Sequence, residues 1–408
     1  MIWKIAVTAA VTVVWLYELF LHLLSMRSKN HPVPPCVADV YDGETYRKQL
    51  HYKADKNRIG MFRSTAVFIV DLVLLILNLY AAFAALFPAN PWNRMFAVLL
   101  LSALASLAAL PFDWYDTMKV EGRYGFNRTT GRTFFADHIK QFLLGLGLMT
   151  GLGSLLLGLH QSFGDWLIVL FAAIATLFLL FFAFIFPFFT KLFNRFRPLE
   201  EGELRDKLTA LLEKNGYRVR AVNVMDASRR STKANAYFAG FGKMKTIVLY
   251  DTLIETMTTD EIIAVFAHEL GHGLHRDTLK NQLMTFFEML LLGFLAWGTL
   301  KIPALFTAFG FDGVNYGFAL ILIMSAEYAL AAPLFGLLTN RLSRRAEYRA
   351  DAHAVKEGYG EALISGLKKL AKQNYSDLSP SPLLVALTYS HPTLAQRIEA
   401  IRRLQKGV

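Results

Sequence analysis

Long apolar runs alternate with polar stretches along the 408 residues, and seven of the runs come close to the ~20 residues a helix needs to cross a bilayer. They fall at about 2–25, 64–87, 95–113, 141–160, 166–189, 283–306 and 316–339. A helix satisfies its own backbone hydrogen bonds in hydrocarbon, so the pattern predicts an α-helical polytopic membrane protein with seven spans. The first run carries Lys4, Glu18 and His22 and lacks a small-residue cleavage site, which makes it an anchor rather than a removable signal. Two polar stretches remain, 191–280 and 341–408, of 90 and 68 residues, enough together for one folded core. The expected organisation is therefore a five-helix membrane region (1–190), the first part of a polar domain (191–280), a membrane hairpin (281–340) and the second part of that domain (341–408). The hairpin crosses twice, so both polar parts return to the same membrane face.

Composition agrees with this assignment, with 54% hydrophobic residues and 33 phenylalanines. Charge gives it a direction. Lys4, Arg94 and Lys301 fall on one side of the seven crossings, leaving 40 of the 43 Lys and Arg on the other, which the positive-inside rule places in the cytoplasm. The net charge of +11 is thus a signature of topology and of anionic lipid, and no nucleic-acid partner is expected. Cys36 is the single cysteine, which excludes an internal disulfide and a thiolate metal site. Asp71, Asn78, Glu288 and Glu327 lie inside spans, where burial against lipid is costly, so they are expected to face other helices or water.

The chemistry is concentrated in His268-Glu269-Leu270-Gly271-His272. Thr258 with Glu261 forms a capping-box pattern, and Ile262, Ile263, Phe266 and Leu270 recur at helical spacing, so the motif sits on a helix. Residues i and i+4 share a helix face, and both imidazoles can reach one zinc ion while Glu269 stands beside it as a general base for the attacking water. A catalytic zinc site needs a third protein ligand. Thr278 occupies the place of a third histidine six residues beyond His272, and His275 is about 10 Å up the helix axis from His268. Glu347 and Asp351 are the better candidates, again i and i+4, one to bind metal and the other to orient an imidazole through its free N–H. Because the hairpin separates His272 from Glu347, the two can meet at one membrane level. Two surface histidines on an amphipathic helix, and a solvated carboxylate pair among arginines, are the bland alternatives.

With these residues in place, the chain resembles the type I CAAX prenyl endopeptidases, integral-membrane zinc proteases of the gluzincin kind. Further matches are Arg230 to Gly242 followed by Ile247 to Leu253, Pro333-Leu334-Phe335 with Asn340, Ser343-Arg344, Ser390-His391-Pro392-Thr393 with Arg397, and Gly125-Phe126-Asn127. The resemblance implies that His268, His272 and Glu347 hold one Zn2+ per chain, that Glu269 activates water, and that Asp351 lies behind the ligands. It also implies that His391 and Arg397 stabilise the tetrahedral intermediate, that Asn235 and Ala236 belong to an edge strand binding extended peptide, and that the seven helices surround a chamber with a small cytoplasmic α+β protease domain. The activity implied is cleavage near the C-terminus of a prenylated or other membrane-associated peptide or protein. The alternatives are a quality-control protease for misfolded membrane proteins and a non-catalytic transporter or lipid-handling chamber; a complete base position at Glu269 argues against the last.

Overall fold

The computed structural model describes residues 1–229, 236–239 and 244–407. Among them are six helical stretches long and apolar enough to cross a membrane: Ile2–Arg27, Gly43–Ile76, Pro91–Glu121, Gly131–Phe181, Leu279–Leu300 and Tyr316–Lys356. The fourth breaks at Gly164, whose φ of +55° suits a residue without Cβ, into helices Gly131–Phe163 and Leu167–Phe193. Counted that way the stretches match the seven runs in the sequence.

Several ends differ from the hydrophobic pattern. The second span starts at Gly43, within what reads as a polar loop, because Asp42 caps it by accepting hydrogen bonds from the Glu44 and Thr45 N–H groups. It stops at Ile76, before Asn78 turns left-handed at φ +56°. The sixth span ends at Leu300 because Pro303 disfavours a helical Ile302, which lies at φ −116°, ψ 77°. The seventh stays helical from Tyr316 to Lys356, through a π-helical turn at Ile323–Glu327 and with Pro333 inside it, so the segment carrying Glu347 and Asp351 is the extension of a membrane helix.

One membrane end gathers the three isolated cations. Lys4 donates to the Ile76 carbonyl (2.6 Å) and to Asn78 Oδ1 (2.8 Å), Lys301 pairs with Asp165 at the Gly164 turn (2.6 Å), and Arg94 meets Asp312 (3.4 Å). A buried apolar cluster including Met95, Leu99, Leu157, Phe306, Phe309 and Phe318 closes that end. Away from this cluster the spans bury few side chains: only 11% of the most apolar window is covered in each of the first two.

The second large cluster lies at the opposite end, around a four-stranded sheet of order β1-β2-β4-β3, with β1 Phe196–Pro198, β2 Arg218–Met225, β3 Ala236–Ala239 and β4 Met244–Tyr250. β2 and β4 run parallel, while β1 and β3 are antiparallel edge strands. Ile247 and Leu249 of β4 pack with Ile262, Ile263, Phe266 and Leu270 of the helix Thr259–Leu274. Val37, Val40 and Tyr41, from the segment after the first span, are buried in the same core.

Candidate active site

The helix Thr259–Leu274 begins with the complete capping box, the Thr258 hydroxyl accepting from the Glu261 N–H and the Glu261 carboxylate from the Thr258 N–H. Glu261 is also anchored from outside, accepting from Ser365 (2.6 Å) and Lys369 (2.6 Å). Ten residues beyond Glu261, Gly271 allows the long helix carrying Glu347 to cross at close range. A Cβ on Gly271 would lie 2.8 Å from Ala350 Cα and 3.0 Å from His353 Cβ, too close for the backbones to stay in place. This crossing brings the two i, i+4 pairs face to face.

His268 Nε2 is then 3.5 Å from Glu347 Oε2 and His272 Nε2 is 3.3 Å from Glu347 Oε1. The three ligand atoms lie within 4.8 Å of one another. Glu347 Oε2 is buried and makes no hydrogen bond. A buried carboxylate oxygen that accepts no hydrogen bond is costly unless a cation completes it, and the N, N, O donor set suits zinc with one position left open. The residues present therefore fit the metal.

Each imidazole is aimed by a carboxylate. Asp351 Oδ1 lies 2.8 Å from His268 Nδ1, and Arg397 holds Asp351 through Nε to Oδ2 (2.9 Å) and Nη2 to Oδ1 (2.6 Å). His272 Nδ1 is 3.1 Å from Asp277 Oδ2, while Asp277 Oδ1 accepts from Lys280 (3.1 Å) and Arg349 (2.9 Å). Burial pushes the His272 imidazole towards neutrality, yet Glu347 and Asp277 outweigh it and hold its pKa up to about 9 in the metal-free protein. Burial likewise opposes ionisation of Asp277, and His272, Lys280 and Arg349 keep its carboxyl below the ordinary range. Asp277 was not singled out from sequence. Its signal was a lone carboxylate five residues past His272, beyond a left-handed Arg276 (φ +54°) that turns the chain back.

A cavity of about 370 Å³ opens on these groups, and Glu269, His391 and Arg397 line it with His268, His272 and Glu347. His391 precedes Pro392 in a loop; its Nδ1 is 2.9 Å from Ser390 Oγ and its Nε2 is 3.3 Å from Glu347 Oε1. Arg397 is committed mainly to Asp351, with Nη1 3.5 Å from Glu347 Oε2. Ala236 opens the edge strand β3, opposite Leu249 of β4; Asn235 lies outside the described residues.

Residues 22–195 match the CAAX prenyl protease N-terminal region, described as five membrane helices, and residues 198–405 match peptidase family M48. The chain belongs to peptidase family M48. Across 95% of both chains it is 33% identical to the CAAX prenyl protease 1 homolog of Arabidopsis thaliana. It is 29% identical to the human CAAX prenyl protease 1 homolog, over 96% of this chain and 94% of that one. The crystal structure of S. mikatae Ste24p superposes with a TM-score of 0.89 at 27% identity, over 98% of this chain and 99% of that chain. Membership in family M48 makes the protein a metalloendopeptidase, and its apolar helices make it a multi-pass integral membrane protein acting on peptides or proteins.

Proposed function

We propose that this M48 peptidase binds one zinc ion per chain through His268, His272 and Glu347 and cuts near the C-terminus of prenylated, CAAX-type or other membrane-associated peptides at the cytoplasmic face. The observation that carries the metal assignment is the buried Glu347 Oε2, which accepts no hydrogen bond, beside His268 Nε2. The substrate assignment is supported by the relatives named CAAX prenyl protease, which this chain matches almost end to end. The sidedness is supported by the 40 cations that share the membrane face of the site.

When bound, zinc would polarise the scissile carbonyl and lower the pKa of the water that attacks it. Glu269 stands in the cavity outside the ligand set, where it can take the proton from that water and return it to the leaving amine. His391 reaches over the cavity edge to donate to the oxygen on which negative charge develops. Asp351, braced by Arg397, and Asp277, braced by Arg349 and Lys280, fix the two imidazole rings. An extended substrate adds its backbone along Asn235 and Ala236, the second of which opens β3, the outer strand of the described sheet.

Purified full-length protein incubated with a farnesylated CAAX peptide and its unmodified twin tests this directly. The farnesylated peptide should be cleaved faster, and Glu269→Gln should abolish the reaction. Equal rates on the twins would remove the prenyl requirement, and cleavage of neither would remove the assignment as a CAAX-type protease.

A further inference from the structure

The loop that carries His391 is tied at both ends to the long helix that carries Glu347. Asn340, Arg344, Glu347 and Asp351 recur at i, i+4, i+7 and i+11, so one stripe of that helix presents all four. Glu347 and Asp351 serve the metal centre, whereas Asn340 and Arg344 reach a different segment. Arg344 Nη1 donates to the carbonyls of Val385 (3.2 Å) and Tyr389 (2.5 Å), and Asn340 Nδ2 donates to the Leu387 carbonyl (3.2 Å). These carbonyls belong to the last turn of the short helix Pro382–Thr388 and to the residue after it, where carbonyls run short of backbone donors. Among the described residues Arg344 forms no ion pair, so a half-buried guanidinium is committed to this chain end.

On the far side of His391 the chain is fixed again. Thr393 and Gln396 close a capping box that starts the helix Leu394–Gln405, and Arg397, near its start, grips Asp351. The Arg344–Tyr389 and Arg397–Asp351 contacts thus stand on either side of Glu347 along one helix face. His391 lies between them with 61% of its side chain exposed, and its polar contacts are Ser390 and Glu347. Little packing holds the ring, so the two tethers set where its Nε2 points. A donor aimed at a developing charge works only from a fixed position, and a misplacement of about 1 Å can cost about 10²-fold in rate.

We propose that Arg344, assisted by Asn340, is a positioning residue that holds the segment from Tyr389 to His391 so that the imidazole faces the scissile carbonyl. The proposal rests on the oxyanion role given to His391 above, so its test includes a readout that needs no turnover.

In zinc-loaded full-length protein, Arg344→Ala should lower kcat by about 10–100-fold, with KM and zinc content near wild type. Arg344→Lys, which can reach one of the two carbonyls, should recover part of that loss. Asn340→Ala removes a single neutral hydrogen bond and should cost only severalfold. The decisive comparison is in a His391→Ala background, where Arg344→Ala should lower kcat by less than about twofold further, because no imidazole is left to position. The same cycle run with Arg344→Lys covers a failure of Arg344→Ala to fold. Without turnover, hydrogen exchange of both metal-free and zinc-loaded protein should speed up in Arg344→Ala across residues 385–393 and stay unchanged in the helix Thr259–Leu274. Losses that multiply in the double variant, or wild-type exchange across 385–393, would overturn the positioning role. Faster exchange there combined with full kcat in His391→Ala would uphold the anchoring by Arg344 and refute the oxyanion role of His391.

Discussion

Asp277→Asn isolates the part of the site that holds His272. The aspartate is 5% exposed, with one oxygen 3.1 Å from His272 Nδ1 and the other shared by Arg349 and Lys280. Asparagine has the same size but only one accepting oxygen. If that oxygen faces His272, the amide NH₂ points at two cations; if it faces the cations, the NH₂ points at the ring nitrogen that must donate. Either way His272 loses a charge-assisted partner, an interaction of about 1.5–3 kcal/mol. Zinc affinity should therefore fall by about 10–100-fold, which is the usual cost of removing a carboxylate behind a metal-bound histidine. Competition against a zinc-buffering chelator, with detergent-solubilised full-length protein, measures this directly. Arg349→Ala should have a smaller effect, because its side chain is 43% exposed and Lys280 remains on the same oxygen. Wild-type zinc affinity in Asp277→Asn would show that the His272 contact does not orient the ligand.

Glu347→Ala should strip most zinc from the purified protein, whereas Glu269→Gln should keep the metal and lose turnover; full zinc by elemental analysis in the Glu347→Ala protein would refute the third ligand. His391→Ala should lower kcat by roughly 10²–10³-fold with KM and zinc nearly unchanged, the scale of one oxyanion donor, and loss of zinc would move His391 into the metal site instead. With Cys36 replaced, a cysteine at Asn93 should label from outside intact cells and one at Ser376 only after permeabilisation; the opposite pattern would invert the topology. Burial pushes the Glu261 carboxyl up, but Lys369, Ser365 and the Thr258 N–H outweigh it and hold it below its ordinary value. The stability it contributes is complete above the unfolded-state pKa of roughly 4.5 and disappears as pH falls through the lower folded value. Glu261→Gln should thus cost about 1.5 kcal/mol at pH 7, with the gap to wild type closing in acid; a pH-independent gap in thermal unfolding would contradict this.

The cluster of His268, His272 and Glu347 and the membrane architecture could be read in the sequence because each is written in local spacing. The HELGH repeat, the capping box and the Glu347–Asp351 pair need one helical period, and the even number of crossings between them needs only hydropathy. What stayed hidden depends on non-local contacts or on chain reversals. Asp277 reaches His272 only because Arg276 turns left-handed between them. Gly271 looks like a filler residue in HExxH, and its need shows only when Ala350 is found 2.8 Å from where its Cβ would be. The second span reads as starting near 64, since the first 21 residues of its helix, Gly43 to Arg63, are rich in charge and break the apolar pattern.

The helical run Tyr316–Lys356, which passes through a π-helical turn at Ile323–Glu327 and carries Pro333 inside it, makes the protein a lever. From Tyr316 to Glu347 it spans 31 steps, about 47 Å at 1.5 Å per residue. A change in tilt of about 3° at the closed end, within the range by which helices adapt to bilayer thickness, would carry Glu347 some 2.5 Å sideways. Metal-ligand bonds tolerate only about 0.2 Å, so this helical run and the histidine helix must swing together, locked at the Gly271 crossing. The lipid surroundings thereby acquire a mechanical route to the catalytic centre: a thicker or thinner membrane that strains this crossing alters turnover without touching the substrate.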